Sequence, residues 1–398
     1  MLQPEQFSGL AARLDNIAPF HVMELAKMAA DLERQGRHIV HMGIGEPDFT
    51  APQPVIDAAS RAMASGKLQY TPATGLPELR QAISGYYRDR YGVDVAPSRI
   101  VVTAGASAAL LLACAALVEK GAEVLMSDPC YPCNRHFVAA FDGVAKMIAS
   151  GPEHRFQLSA DMVRDNWSSA ARGVLLASPS NPTGTSIEKA ELRRIVEAVR
   201  ERGGFTIVDE IYNGLHYGVE PDAEPFSALS LGDDVIVINS FSKYFNMTGW
   251  RLGWLVVPEQ LVAPIEKLAQ NLFICASSVA QHAGLACFTP EALAIYEERK
   301  NEFRRRRDYI VPELQRLGFH VPVMPDGAFY VYADCSALSD DADRFTREML
   351  QQAGVVMVPG LDFGPSTTRT HVRISYATSM ENLREAVARL EKFLKDRS

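Results

Sequence analysis

Phe205-Thr206-Ile207-Val208-Asp209-Glu210-Ile211-Tyr212 is a short run of β-branched and aromatic residues that ends in two carboxylates. A run this apolar, with no polar alternation, suits a strand buried on both faces, as in a parallel sheet covered by helices. Six more runs of the same character lie at 100–103, 123–127, 144–149, 173–177, 235–239 and 252–257. Helical periodicity fills the gaps between them, for example over 76–91, 106–117 and 188–202. The alternation predicts an α/β fold whose large domain has a mostly parallel seven-stranded sheet covered by helices.

From Pro258 the pattern changes. Long helical stretches cover 258–287 and 290–317, shorter strands follow near 329–332, 354–358 and 371–375, and a last helix covers about 380–395. This predicts a smaller α+β domain. The first forty or so residues do not start the parallel sheet, and are expected to fold back onto that domain. The expected division is a large domain over 50–285 and a small one from 1–49 and 286–398. No repeat or Pro/Gly/Ser linker separates the two.

Composition sets outer bounds. The chain has 398 residues, of which 47% are hydrophobic and 22% charged. That is ordinary for a globular chain with a sizeable core, and excludes disordered, collagen-like and coiled-coil classes. The net charge of −8 offers no broad basic face, so no nucleic-acid partner is expected. Arg304-Arg305-Arg306-Arg307 reads as a solvated helix face. No apolar run reaches the roughly 18 residues of a membrane span, and the first residues lack a secretory pattern. Six cysteines suggest no disulfide framework, and a cytoplasmic location is expected. Cys130-Tyr131-Pro132-Cys133 has no second pair to complete a zinc site, and no metal is expected. Gly43-Ile44-Gly45 resembles the start of a dinucleotide fingerprint, but Asp48 stands at the third glycine position.

The informative polar residues sit just after strands. Asp209 follows 205–208, Asn181 follows 173–177, Ser240-Phe241-Ser242-Lys243 follows 235–239, and Gly105-Ala106-Ser107 follows 100–103 and opens a helix. In a parallel sheet, ligands sit outside the carboxyl ends of the strands. A helix N-terminus can bind phosphate, a lysine can form a Schiff base with an aldehyde, and a carboxylate can keep a pyridine nitrogen protonated. Each residue alone also has a plain reading: a surface lysine, a helix cap, a turn or a packing tyrosine.

Taken together, their order and spacing resemble the class I aminotransferases, pyridoxal-phosphate enzymes of fold type I in the aspartate aminotransferase superfamily. The resemblance runs from about Gly43 to Arg373. It implies that pyridoxal 5'-phosphate is the cofactor and that Lys243 carries it. It further implies that Asp209 meets the pyridine nitrogen, Tyr131 stacks on the ring, and Asn181 and Tyr212 reach the phenolic oxygen. By the same resemblance Ala106, Ser107, Ser240, Ser242 and Arg251 bind the phosphate, and Tyr70 reaches the phosphate of a neighbouring subunit. Lys243, Asp209 and Tyr131 are the implied catalytic residues. Arg373, Gly45 and Asn181 are the implied substrate contacts, with Arg373 clamping the α-carboxylate. The N-terminal stretch 14–25, including Phe20, is expected to close over the substrate.

The implied partners are an amino acid and a 2-oxo acid in a ping-pong reaction, and the implied assembly is a homodimer with shared active sites. One departure bears on the substrate. Many bacterial aspartate aminotransferases of the nearest subgroup have a lysine where this chain has Ser107, and others bring an arginine from the loop that here reads Phe273-Ile274-Cys275-Ala276-Ser277-Ser278. Neither base is present, so neutral or apolar amino acids are favoured. Aspartate specificity stays open, as does C–S β-elimination on the same scaffold.

Overall fold

The computed structural model describes residues 9–218 and 225–397. Its strands, in chain order, are β1 (Val40–His41), β2 (Ile100–Thr103), β3 (Glu123–Asp128), β4 (Val144–Ala149), β5 (Ala171–Ala177), β6 (Phe205–Asp209) and β7 (Ile236–Ser240). They continue with β8 (Gly253–Val256), β9 (Tyr330–Asp334), β10 (Val355–Val356), β11 (Val358–Pro359) and β12 (His371–Ser375). Seven of them form one sheet in the order β2-β8-β7-β6-β5-β3-β4. Four of its pairings are parallel, and β8 is antiparallel to both its neighbours. This is the mostly parallel α/β sheet expected from the sequence. The predicted strands fall within two residues of their observed bounds.

Burial on both faces explains why these strands alternate so little. Val174, Leu176, Val208 and Val237 pack in one core cluster, and Leu175, Ile207, Ile236 and Ile238 pack in the other. The helix Gly105–Leu117 is apolar around its circumference because it too is enclosed, between the sheet and the helix Glu259–Leu272. Among the described residues, no helix is long and apolar enough to cross a membrane.

The C-terminal elements form a three-stranded antiparallel sheet, β11-β12-β9. The helix His21–Arg34 and β1 pack against them. β1 pairs in parallel with β10, and Ser375 N–H donates to Met42 O at 2.7 Å. The N-terminal segment therefore folds back as expected. The predicted strand 354–358 is really two: β10 joins β1 and β11 joins β12, so the chain changes sheets at Met357. The predicted helical stretch 258–287 is broken between Leu272 and Ser278, where Ile274 takes φ +67°.

The arginine run also differs from expectation. Arg306 and Arg307, in the helix Pro290–Arg316, are only 4% and 8% exposed. Arg306 bonds Asp48 at 2.8 Å and lies over the rings of Phe49 and Phe303, and Arg307 donates to Pro325 O at 3.0 Å and lies over Tyr217. A planar guanidinium can be buried this way because its faces stack on aromatic rings while its edges donate.

An aromatic cluster backs the segment that carries Lys243. Trp254 on β8 meets Phe241, Phe245 and Tyr87 and donates from Nε1 to Tyr87 Oη at 3.1 Å. Trp254→Ala should lower the urea midpoint by the equivalent of about 3–5 kcal/mol, and Trp254→Phe by less. A midpoint unchanged in the alanine variant would show that this cluster does not hold the sheet together.

Candidate active site

Strand direction assembles the site. β5, β6 and β7 are parallel and in register, with Ala177 opposite Asp209 and Asp209 opposite Ile238. β2 and β7 are both antiparallel to β8, so β2 runs the same way as β7. Four strands thus release their chains at one edge, where a cavity of about 430 Å³ opens. Ala106, Ser107, Tyr131, Asn181, Asp209, Tyr212, Ser240, Ser242, Lys243, Arg251, Gly45 and Arg373 all line it. Tyr70 does not, being 80% exposed elsewhere on the surface.

Alternation along β6 separates two chemistries. Asp209 points into this cavity, whereas Val208 and Glu210 border a second one of about 450 Å³ behind the sheet. That second cavity holds none of the expected site residues. Glu210 is held there by Ala228 N–H at 2.6 Å and by Ser227 and Asn213. Burial pushes its carboxyl up to about 7.

Asp209 is 5% exposed, and its Oδ1 accepts from Ile211 N–H at 3.1 Å. Burial raises its pKa to about 6, against the opposing pull of that hydrogen bond and of Lys243. Lys243 is partly buried, its Nζ donating to Gly45 O and lying about 6 Å from the rings of Tyr212 and Phe329. Burial, with Arg373 and Arg251 nearby, lowers its pKa to about 8 although Glu46 and Asp209 pull upward. Desolvation disfavours the charged form of each group, so the carboxyl moves up and the ammonium down.

The helix Gly105–Leu117 aims its N-terminus at the cavity. Gly105 has φ +79°, and a Cβ there would stand 2.7 Å from Arg251 Nη2. Glycine is what lets that guanidinium approach the free N–H groups. Ser240 Oγ lies 3.0 Å from Ser242 Oγ on the same side. Two hydroxyls, a guanidinium and a helix N-terminus make an anion cradle.

Opposite the cradle, Arg373 on β12 is 3% exposed. Its Nη1 donates to Asn181 Oδ1 at 2.8 Å and its Nη2 to Gly43 O at 2.6 Å. Its guanidinium carbon lies 4.6 Å from the Tyr330 ring centre and 5.0 Å from that of Phe363, while Nε has no hydrogen-bond partner among the described residues. Tyr330 Oη is 2.8 Å from Tyr212 Oη, and a Cβ on Gly45 would meet it. Sequence reading missed Tyr330. Its one signal is the alternating Tyr330-Val331-Tyr332, which says strand and nothing of the site.

The remaining wall is apolar. Phe20, Val22, Met23 and Ala26 come from the N-terminal segment, joined by Ile44, Leu110, Phe137 and Ile211. Phe20 meets the Tyr131 ring edge-on, with centroids 6.4 Å apart. The N-terminal stretch therefore covers the mouth.

Comparison with known proteins agrees with this arrangement. Residues 37–390 match the family "Aminotransferase class I and II". The chain belongs to that family. It is 38% identical over 378 residues to the valine–pyruvate aminotransferase of Mycobacterium tuberculosis, covering 95% of this chain and 97% of that protein. It is 35% identical over 388 residues to the (5-formylfuran-3-yl)methyl phosphate transaminase of Methanocaldococcus jannaschii, covering 97% and 99%. A crystal structure of an aminotransferase from Mycobacterium tuberculosis superposes with TM-score 0.93 at 37% identity, covering 98% of this chain and all of that one. The protein is a transaminase, and aminotransferases of this family are pyridoxal-phosphate-dependent.

The lowered lysine makes a direct prediction for this aminotransferase without cofactor. Trace acylation followed by peptide mapping should show Lys243 deprotonating with a midpoint near pH 8. Surface lysines should follow nearer ~10.4. A midpoint for Lys243 among those of the surface lysines would show that the cavity does not desolvate it.

Proposed function

We propose that this transaminase uses pyridoxal 5'-phosphate to move an amino group from a neutral or apolar L-amino acid to a 2-oxo acid, pyruvate in preference to 2-oxoglutarate, in ping-pong fashion. The observation that carries the substrate class is the uneven lining of one cavity. Its cations among the described residues are Lys243, Arg251 and Arg373, while Phe20, Val22, Met23, Ile44, Leu110 and Phe137 form the other wall. Once one cation serves a phosphate, one a carboxylate and one the reacting carbon, none is left for a second carboxylate. The likeness to a valine–pyruvate aminotransferase points the same way.

The residues fit the cofactor. The cradle at Gly105, where a Cβ would crowd Arg251, suits a phosphate, held by Arg251, Ser240, Ser242 and the amides of Ala106 and Ser107. Asp209 would hold the ring nitrogen protonated, and that charge would in turn keep the buried carboxylate ionised. Tyr212 and Asn181 would hold the phenolic oxygen, and Tyr131 would pack against the ring. When bound, the cofactor supplies an electron sink and carries the amino group between half-reactions.

Arg373 grips the substrate α-carboxylate, with its orientation fixed by Asn181 and Gly43. Lys243, easily neutral at a pKa of about 8, would take the proton from substrate Cα and, as the ammonium so formed, hold it for return. Gly45 lets the backbone approach the substrate. The apolar wall, closed by Phe20 and Val22, excludes water while the proton moves. The large domain we assign to 50–285 and the small one to 1–49 with 286–398.

We propose also that the working unit is a homodimer. Tyr70 is 80% exposed, Gln69 is tied to Ser278 at 2.7 Å, and the loop just before exposes Ile274. An apolar surface of this kind suits a partner copy.

Addition of valine to the pyridoxal-phosphate-loaded protein should shift the visible cofactor band to that of the amino form, and an oxo acid should restore it. Aspartate should react more slowly than valine. Lys243→Ala should cut turnover by roughly a thousandfold or more, and Arg373→Lys should raise KM by tens. Near wild-type turnover by Lys243→Ala would overturn the mechanism. Pyruvate and ammonia released from cystathionine without an oxo acid would favour β-elimination instead.

A further inference from the structure

The helix His21–Arg34 begins at the mouth of the site, yet its own sequence cannot cap it. The N-cap residue is Phe20, which has no side-chain acceptor, so the first N–H groups need a partner from elsewhere. Asp362, some 340 residues later, supplies it. Its Oδ1 accepts from His21 N–H at 2.9 Å and its Oδ2 from Val22 N–H at 2.8 Å. Asp362 is 2% exposed and does not itself line the cavity.

The turn that carries Asp362 is fixed to the rest of the site. Arg135 Nη2 donates to Asp362 O at 2.9 Å, and Cys130 N–H donates to Phe363 O at 2.8 Å. Those two bonds straddle Tyr131. The Phe363 ring stacks under Arg373. Leu25 and Ala29, further along the helix, sit in an apolar cluster with Ile39, Leu350 and Val356. In the first turn Val22 packs with Phe156, Tyr332, Val358 and Phe363, whereas Met23 beside it is 63% exposed.

We propose that Asp362 is a positioning residue that seats the first turn of His21–Arg34 over the substrate, and so sets how tightly the amino acid's side chain is held. The inference rests on the proposed amino-acid site, because Phe20, Val22, Met23 and Ala26 act on substrate only through that cavity. A carboxylate suits the task. It faces the positive end of the helix dipole and offers an oxygen to each of two donors.

The test uses the pyridoxal-phosphate-loaded enzyme with three variants. Asp362→Ala removes both acceptors. Asp362→Asn keeps one acceptor oxygen. His21→Pro removes one donor while leaving the Asp362 turn intact, and proline fits the first helical position. Asp362→Ala should raise KM for valine roughly tenfold, with kcat within about threefold and the cofactor spectrum as in wild type. Amide exchange should quicken over residues 21–26 and not over 105–117. Asp362→Asn and His21→Pro should fall between wild type and alanine. Wild-type KM in both Asp362→Ala and His21→Pro, or unchanged exchange over 21–26, would overturn the proposal. So would a fall in kcat with an altered cofactor spectrum. If Asp362→Ala fails to fold, His21→Pro decides the matter. If wild type transaminates nothing, the function reading fails, and exchange over 21–26 still decides whether Asp362 seats the helix.

Discussion

Strand direction is the constraint from which the site follows. β2, β5, β6 and β7 run one way, so the residues that leave them arrive together although they lie far apart in the chain. The antiparallel strand β8 makes this possible: inserted between β2 and β7, it lets two strands of like direction flank it. A site built this way inherits the rigidity of the sheet, and a one-residue slip of β6 would turn Asp209 away and Glu210 inward.

The same enclosure sets the electrostatics. Water cannot solvate Asp209 well, so its carboxyl rises to about 6, and Lys243 falls to about 8 for the same reason. Both groups are therefore poised within reach of neutral pH, where a surface carboxylate or lysine would be firmly charged. Holding a carboxylate and an ammonium in a shared low-dielectric cavity is unfavourable unless further charge arrives. On the proposed reading, a pyridinium beside Asp209 and a phosphate beside Arg251 complete the balance. The cavity's polar half is then a set of unsatisfied groups that one cofactor satisfies at once.

Sequence legibility divides along physical lines. The central strands were legible because burial on both faces leaves an unmistakable apolar run, and the residues after them are exposed by the same punctuation. Strand ends drifted by one or two residues because the last pairing depends on the neighbour. The break near Phe273 and the change of sheets at Met357 depend on tertiary partners that no local pattern encodes. Arg306 and Arg307 looked solvated because four arginines in a row suggest charge alone. Helical spacing held the contrary signal, since Phe303, Arg306, Arg307, Ile310 and Leu314 share one buried face. Tyr330 and Asp362 were illegible for another reason. Each acts through a partner over a hundred residues away, and neither sits in a motif.

Arg373 carries a bonding deficit of a particular kind. Every contact of its guanidinium is neutral: an amide oxygen, a backbone carbonyl and two aromatic faces. Among the described residues no carboxylate forms an ion pair with it, and Nε is left without any partner. A buried cation in that state is costly unless an anion is brought to it. Neutral contacts also have a second consequence. They fix the plane of the guanidinium without competing for its charge, so an incoming carboxylate meets an oriented and unspent donor. On the proposed reading, a substrate with one carboxylate relieves the deficit, and its side chain faces Phe20, Val22 and Leu110. A second carboxylate directed at that wall would recreate, with the opposite sign, the imbalance the first had removed.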